Sequence, residues 1–485
     1  MKKAQKRRTI SLLLSALCAS CGFLAACGGG GRDSEYVYRG NNVMDNLGPS
    51  TGTISFMVYG GWEELQNWDN LIEDFESKNP GITVETVTIP DGDMLYTNLA
   101  GGTAPDVVQL GSPQFGIFAK QGAFQSLQPF IERDNFDTSD FWPQAIEMFS
   151  FDTERGVRGS GELFGLPKDL GVNGIFVNRT LIEEARDEGR LTDEQYALVT
   201  DQVNPMTFEE YIDVAVALTQ YDGTANSVYG SNRIYWESYL WSLGDDIITS
   251  EHTLNKSDLV KKVFNYSKAM VTEGDPNFCS PYTPVDSSSS QTEESQFLTG
   301  KLAMIWAGRW RVPIYDEAGI DYYCIPIPIA DPSEAENTLS YSISWTSTVG
   351  YAISRNCQKT EMAWKFIQYL TSPDGYRQLN RLNFNVPGRM SLIEEDEFRD
   401  PKTYNSDEYP TNLDEASAKL FFDMAKVARL NNDVRYTENN WKTLFENRLS
   451  MFFNDEIKTV DEFLDGVEAE VNAAIRQSDP WLFEE

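Results

Sequence analysis

Histidine is nearly absent from this sequence, which contains a single one, His252, among 485 residues. A metal site built from several histidine ligands is therefore excluded, and a Ser-His-Asp or Cys-His mechanism would depend on this one side chain. His252 lies in the polar run 249–255, a pattern typical of a solvent-exposed loop. The sequence thus gives no support for histidine-based chemistry.

Cysteine is scarce as well. After Cys27 the chain has only Cys279, Cys324 and Cys357, an odd number for so long a sequence. Such usage differs from that of a disulfide-stabilised scaffold. Two interpretations stay open, one bridge between Cys279 and Cys324 or three buried thiols.

Basic residues are outnumbered by acidic ones, 40 against 74, which gives a net charge of −34. Five of the basic residues lie among residues 1–26, where there is no acidic residue, so removal of that segment leaves 35 against 74 and a net charge of −39. A surface this acidic argues against a nucleic-acid partner and against a membrane contact made by a polybasic patch.

The N-terminus carries a basic cluster, an apolar run over residues 10–23, and the small residues Ala25 and Ala26 before Cys27. The run is shorter than the roughly 20 residues that span a bilayer, and the pattern predicts a cleaved signal peptide over residues 1–26. The residues before Cys27 resemble the lipobox of bacterial lipoproteins, which implies a lipid anchor on Cys27. A plain secretory signal that contains a cysteine is the alternative.

Residues 27–52 are glycine-rich and then polar, and they predict a flexible tether. The 459 residues that remain of 485 after cleavage are too many for one hydrophobic core and favour two lobes. A β-rich run at 53–59, apolar residues at helical spacing between 65 and 75, and a second β-rich run at 82–86 follow one another. This order predicts an α/β fold with a parallel sheet.

Five segments, in order, resemble the extracellular solute-binding protein family that includes maltose-binding and multiple-sugar-binding proteins. They are FESKNPGITVETVTIP (75–90), AGGTAPDVVQLG (100–111), LFGLPKDLGVNGIFVNRTL (163–181), FLTGKLAMIWAGRW (297–310) and STVGYAISRNCQKTEMAWKFIQYLTSPDGYRQL (347–379). Each segment alone is moderately specific, and together they cover most of the chain from residue 53.

The resemblance implies a two-lobed periplasmic-binding-protein-like α/β fold in which the chain crosses the hinge several times. Lobe 1 would comprise residues 53–167 and 338–379, and lobe 2 residues 173–331 and 386–485. The crossings would then lie near residues 167–173, 330–336 and 383–387, whose glycine, proline and polar residues suit a hinge.

A sugar offers C–H faces for stacking and hydroxyls for hydrogen bonds, so its site needs aromatic planes and polar side chains. The aromatic candidates in the segments that would line the cleft are Trp62, Tyr235, Trp236, Trp306, Trp310 and Trp345. Trp310 occupies the family's Gly-x-Trp position, where the resemblance implies stacking on a sugar. Packing inside the protein is the alternative for each ring, and the spacing of Trp241 favours a buried position.

Polar candidates lie at two places, the first predicted crossing near residues 167–173 and the end of the segment 297–310. Asp169 would accept hydrogen bonds from sugar hydroxyls, while Lys168 and Arg309 would donate them. A salt-bridged or solvated hinge residue is the alternative for all three. Ser112 and Gln114 are weaker candidates.

The resemblance implies a monomeric substrate-binding lipoprotein of an ABC importer, which captures a mono- or oligosaccharide and delivers it to membrane permease subunits. It would lie at the bacterial cell membrane, facing outward, and would need no catalytic residue, metal or cofactor. One alternative is a surface-anchored glycoside hydrolase, which needs two suitably spaced carboxylates. The other is the same fold with a non-sugar solute.

Overall fold

The computed structural model describes residue 44 and residues 47–58, 62–88, 92–281, 292–380, 385–404 and 410–484. The predicted signal peptide and Cys27 lie outside these residues, as does most of the predicted tether. The end of the tether segment already belongs to the folded body, because the backbone N–H of Glu361 donates to the carbonyl of Leu47 at 3.1 Å.

The described residues contain sixteen strands. They are β1 (Gly52–Val58), β2 (Ile82–Thr88), β3 (Val107–Gly111), β4 (Phe124–Gln125), β5 (Ser150–Asp152), β6 (Val157–Arg158), β7 (Glu162–Leu163), β8 (Gly165–Pro167), β9 (Asp169–Asn178), β10 (Tyr229–Ser231), β11 (Leu302–Gly308), β12 (Tyr322–Ile325), β13 (Trp345–Ser347), β14 (Val349–Ser354), β15 (Val386–Pro387) and β16 (Arg429–Leu430).

The same residues contain nineteen α-helices. They are α1 (Trp62–Lys78), α2 (Gly92–Gly101), α3 (Ser112–Lys120), α4 (Gln128–Asp134), α5 (Pro143–Met148), α6 (Arg179–Asp187), α7 (Asp193–Thr200), α8 (Phe208–Leu218), α9 (Trp236–Ser242), α10 (Asp258–Val271), α11 (Glu293–Leu298), α12 (Val312–Glu317), α13 (Thr360–Leu370), α14 (Pro373–Asn380), α15 (Asp396–Arg399), α16 (Pro401–Tyr404), α17 (Glu415–Val427), α18 (Asn440–Phe453) and α19 (Val460–Ser478). A short 3-10 helix at Arg309–Arg311 links β11 to α12.

The first sheet belongs to lobe 1 and has the order β2-β1-β3-β14-β4, with β8 also paired to β14. β1 runs parallel to both β2 and β3, whereas β14 runs antiparallel to β3. The predicted β-α-β unit is confirmed, since α1 connects the parallel strands β1 and β2.

The second sheet belongs to lobe 2 and has the order β10-β11-β9-β13-β16, with β12 and β15 also paired to β9. All ten residues of β9 are buried, because strands from several parts of the chain flank it. The two sheets confirm the predicted α/β architecture with two lobes.

The chain passes between these two sheets at three places. Lys168 separates β8 from β9, within the predicted segment 167–173. Thr348 separates β13 from β14, which is later than the predicted crossing at 330–336. The third change lies between α14 and β15. By strand pairing, residues 345–347 of the predicted lobe 1 segment 338–379 belong to the second sheet, because β13 pairs with β9.

The three cysteines Cys279, Cys324 and Cys357 are buried free thiols, so the sequence alternative of one bridge does not hold. His252 is half-buried, with its Nδ1 3.1 Å from the hydroxyl of Tyr436. Within the described ranges, no helix is both long and apolar enough to cross a membrane.

Candidate ligand-binding cleft

Successive side chains of the central strand β9 point to opposite faces of the second sheet. Gly174 lies on the face that α17 covers, since a Cβ placed on it would lie 3.1 Å from Phe421. Asp169, Gly171 and Asn173 have the opposite parity and share the other face. Gly171 has no side chain, so that face has room there for a ring from elsewhere.

Trp310 fills this space. A Cβ placed on Gly171 would lie 3.3 Å from the Trp310 ring, and one placed on Gly308 would overlap the same ring. Both glycines therefore lie beneath the indole. Gly308 also pairs with Asn173 across the sheet. The ring is half-buried, which leaves part of it accessible.

Trp310 belongs to a group of three aromatic rings. Its ring centroid lies 5.9 Å from that of Trp345, which lies 5.9 Å from that of Tyr235. All three rings are half-buried. We call Tyr235, Trp310 and Trp345 the aromatic platform. It lies close to the hinge, because Gly171 is three residues from the crossing at Lys168.

Hydrogen bonds to the backbone hold the platform in place. The hydroxyl of Tyr235 donates to the carbonyl of Trp306 at 3.0 Å. The side-chain amide of Asn173 donates to the carbonyl of Trp345 at 3.4 Å. Burial raises the pKa of Tyr235 above its ordinary value, so its hydroxyl stays protonated and can continue to donate.

Two of the predicted tryptophans lie outside the platform. Trp306 is 1 % exposed, and its indole N–H donates to the hydroxyl of Tyr211 at 2.9 Å. Trp236 is 8 % exposed and packs between Phe264 and Phe445, at 5.4 and 5.6 Å between ring centroids. Both rings are core residues in this structure, which matches the packing alternative rather than the ligand-contact prediction.

Arg309 points away from the platform. Its side chain is fully buried, with the guanidinium 5.2 Å from the ring centroid of Phe422 on α17. It therefore lies beneath α17, on the face of the sheet opposite Trp310. Its three nitrogens have no hydrogen-bond acceptor among the described residues, and burial lowers the pKa of Arg309 to about 10. The predicted role of Arg309 as a donor to a ligand has no geometric support.

Asp169 and Lys168 are buried at the hinge. The Oδ1 of Asp169 accepts hydrogen bonds from the backbone N–H of Val349 and the hydroxyl of Thr348, both at 3.3 Å. The Nζ of Lys168 lies 5.6 Å from the ring centroid of Trp68. Both residues line a recess that no ring of the platform lines. Both residues lie at the predicted crossing, but they are buried rather than solvated.

Ser112, Gln114 and Trp62 are the predicted candidates that belong to α3 and α1 of lobe 1. Ser112 is buried, and its hydroxyl accepts from the backbone N–H of Thr348 at 3.2 Å, which links α3 to the hinge. Gln114 is exposed on the first turn of α3. Trp62 begins α1, but its side chain lies outside the described residues. Trp241 is buried, as its spacing predicts.

The two glycines and Asn173 are residues of the candidate site that the sequence predictions did not name. A side chain at 308 would overlap the Trp310 ring, and a side chain at 171 would crowd it. Strand alternation starting from Asp169 could have identified Gly171 and Asn173 as residues of the same face. The resulting surface offers flat apolar planes beside hydrogen-bonding groups, an arrangement suited to binding a small organic molecule.

Comparisons with known proteins identify relatives across most of the chain. The maltodextrin-binding protein of Bacillus subtilis is 22 % identical over 308 residues, which cover 61 % of this chain and 64 % of that protein. The maltotriose-binding protein of Pyrococcus abyssi is 22 % identical over 361 residues, which cover 70 % of this chain and 68 % of that protein. The chain thus spans somewhat under two thirds of the first relative and slightly more of the second.

A solved structure shares the fold. An ABC substrate-binding protein from Listeria monocytogenes, in complex with cycloalternan, superposes with a TM-score of 0.68 at 18 % identity. The match covers 87 % of this chain and 99 % of that one. At this identity the likeness supports the two-lobed fold alone.

The family model for bacterial extracellular solute-binding proteins matches residues 60–377, which is more than half of the chain. This range contains the platform, the first two crossings and the whole first sheet except β1. The protein therefore belongs to the bacterial extracellular solute-binding protein family.

Proposed function

We propose that this protein is the substrate-binding component of an ABC importer and that it holds a carbohydrate against the aromatic platform. The platform itself carries the proposal: three half-buried rings, each 5.9 Å from the next, lie beside the hinge. The C–H face of a sugar packs well on such planes. Two relatives are named for binding maltodextrin and maltotriose, which supports the same class of ligand here.

The proposal is binding without turnover. A glycoside hydrolase needs two carboxyl groups on either side of the scissile bond, about 5 to 9.5 Å apart. Asp169 has the parity of the platform face, but its Oδ1 accepts hydrogen bonds within the hinge. We therefore expect no release of reducing sugar from maltodextrin or galacto-oligosaccharide, and steady release would favour the hydrolase alternative.

The proposal includes the location and partners of the protein. Cleavage before Cys27 and acylation of its sulfur would anchor a monomeric protein to the outer side of the cell membrane, next to the permease subunits that receive the sugar. Intact-mass measurement on the native protein tests the anchor. An unmodified Cys27 on a freely soluble native protein would contradict it.

A thermal-shift screen tests the ligand class. The panel contains maltotriose, a galacto-oligosaccharide, tagatose, and the non-sugar solutes spermidine and glycerol 3-phosphate. A ligand present at 100 times its Kd stabilises the folded state by about 2.7 kcal/mol, which is readily measured as a rise in Tm. We expect a rise with at least one sugar and none with the charged solutes.

The Trp310→Ala variant tests whether the sugar-induced rise in Tm depends on the platform. The ring lies on the platform surface, so its removal should reduce the sugar-induced rise in Tm at a fixed sugar concentration. A rise with spermidine or glycerol 3-phosphate alone would favour the non-sugar alternative.

A further inference from the structure

Lys442, on α18, is a lysine buried within lobe 2. It is 7 % exposed, and its Nζ lies 3.3 Å from Oδ1 of Asn431. The carboxylates of Asp433 and Glu446 lie 3.2 and 3.3 Å from the same Nζ. Burial opposes the charge on Lys442, but the neighbouring carboxylates outweigh it and raise its pKa above the ordinary value. The side chain is therefore a buried cation that holds several groups together.

One set of contacts leads from Lys442 to Trp345. Asn431, which the lysine holds, donates its backbone N–H to the carbonyl of Thr346 at 2.8 Å. Thr346 is the neighbour of Trp345 on β13, and Trp345 itself pairs with Arg429 on β16. The segment that Lys442 fixes is thus hydrogen-bonded directly to the strand that carries one platform ring.

A second set leads to Tyr235. Glu237 lies two residues after Tyr235, on the first turn of α9, and is 6 % exposed. Burial raises the pKa of Glu237, the charge of Lys442 opposes this, the charges of Glu446 and Asp433 add to it, and the net pKa is about 7. Among the described residues, these three charged groups act most strongly on the carboxyl of Glu237.

Packing reinforces the second connection. Phe445, on the same helix as Lys442, packs against Trp236 at 5.6 Å between ring centroids. Trp236 directly follows Tyr235 in the chain. Helix α18 therefore contacts the start of α9 through Phe445 and the residue that follows β16, Asn431, through Lys442.

We propose that Lys442 is a positioning residue for the aromatic platform, because it fixes the strand of Trp345 relative to the helix start that carries Tyr235. The proposal rests on the proposed function only in taking the platform as the ligand surface. Lys442 acts through its contact with Asn431, while Phe445 on the same helix packs against Trp236, next to Tyr235. Glu237 is buried on the first turn of α9, two residues after Tyr235, so a change in its charge acts on the same helix start and should move the platform with pH.

The test uses variants that separate positioning from folding. Lys442→Met alone would leave Glu237 buried beside two other carboxylates. The unpaired buried charges would destabilise the fold whether or not Lys442 positions the platform. The double variant Glu237→Gln/Lys442→Met removes both charges together. Lys268→Met is the matched control, because Lys268 is also a partly buried lysine that contacts α18, through Phe452, but pairs with Asp455 at 3.1 Å.

The first readout needs no ligand. The protein is labelled with 5-fluorotryptophan, and the fluorine resonance of Trp345 is assigned with Trp345→Phe. We expect this resonance to titrate with a midpoint near pH 7 in the wild type, to be flat in Glu237→Gln, and to move in the double variant but not in Lys268→Met. A wild-type resonance that shows no titration, or a folded double variant with the wild-type resonance, would overturn the proposal.

The second readout is the Kd for maltotriose by calorimetry. Misplacing one stacking ring should weaken binding by up to about tenfold in the double variant, with no change in Lys268→Met. Unchanged affinity in the double variant would overturn the positioning role. If the wild type binds no sugar, the proposed function fails, and the fluorine resonance still decides the role of Lys442. If the double variant does not fold, the titration in the wild type and in Glu237→Gln decides it.

Discussion

Trp306 and Trp310 are four residues apart and yet have different environments. Trp306 lies within β11, paired with Ile175, and is buried with its N–H bonded to Tyr211 on α8. Trp310 follows the end of that strand and turns back across Gly308, where it stays half-buried. The type of residue is the same in both places. The two environments differ because helix α8 lies over the Trp306 ring, whereas only part of the Trp310 ring is covered.

Arg309, between these two tryptophans, extends the comparison to the other face of the sheet. Its guanidinium lies against Phe422 beneath α17, without a hydrogen-bond acceptor among the described residues. Adjacent residues in one short segment therefore contribute to the core of lobe 2, to its opposite face and to the candidate site. Substitutions at these positions should have separable effects on stability and on binding.

The largest expected effect is that of Trp306→Ala on stability. Removal of a buried tryptophan costs about 3 to 5 kcal/mol, and this substitution also removes the donor to Tyr211. Urea denaturation monitored by circular dichroism measures the free energy of unfolding. Trp310→Ala is the comparison and should lose far less. Equal losses in the two variants would show that the buried and half-buried rings do not differ as described.

Arg309→Met should raise stability. Methionine keeps much of the side-chain volume against Phe422 and removes a buried charge without an acceptor, so we expect a gain of about 1 kcal/mol at neutral pH. Burial lowers the pKa of Arg309 to about 10, below its value in the unfolded chain. The wild type should therefore gain stability as pH rises through 10, and the advantage of the variant should shrink.

Urea denaturation at pH 7 and pH 10.5 checks the effect of Arg309→Met. Sugar affinity should be unchanged, because the side chain lies on the face opposite the platform. A tenfold loss of affinity in this variant would instead make Arg309 a ligand contact, as the sequence first suggested.

Gly308→Ala should weaken binding and leave the fold nearly intact. The added methyl group overlaps the Trp310 ring and must displace it from the platform, so we expect up to about a tenfold rise in Kd. Gly101→Ala is the matched control, since a Cβ there meets only Thr103 at 3.8 Å. Calorimetry on both variants measures the effect, and equal affinity in the two would contradict the packing of Trp310 on Gly308.

Much of the fold could be predicted from local patterns. The β-α-β unit around α1 followed from hydrophobic period. The segment 167–173, where the chain passes from the first sheet to the second, was implied by the family resemblance instead. The crossing at Thr348 was placed too early, because β13 has only three residues and its position depends on pairing with β9 and β16. Strands this short are defined by distant partners rather than by their own sequence.

The candidate site was predicted less completely than the fold. Chemistry identified Tyr235, Trp310 and Trp345 as candidates, but composition cannot tell which face of a sheet or helix a ring occupies, so Trp236 and Trp306 were grouped with them. The buried Lys442 gave no local signal at all. Its surroundings come from α9, α18 and the segment after β16, which only the folded chain brings together.

The central claim is that Trp310 belongs to the ligand surface and not to the core. Calorimetry with maltotriose on Trp310→Ala, paired with urea denaturation of the same protein, tests it most directly. The account predicts a Kd about tenfold higher than in the wild type, because a stacking plane is lost, with a change of less than about 1.5 kcal/mol in the free energy of unfolding. Unaltered affinity together with a large loss of stability would contradict it.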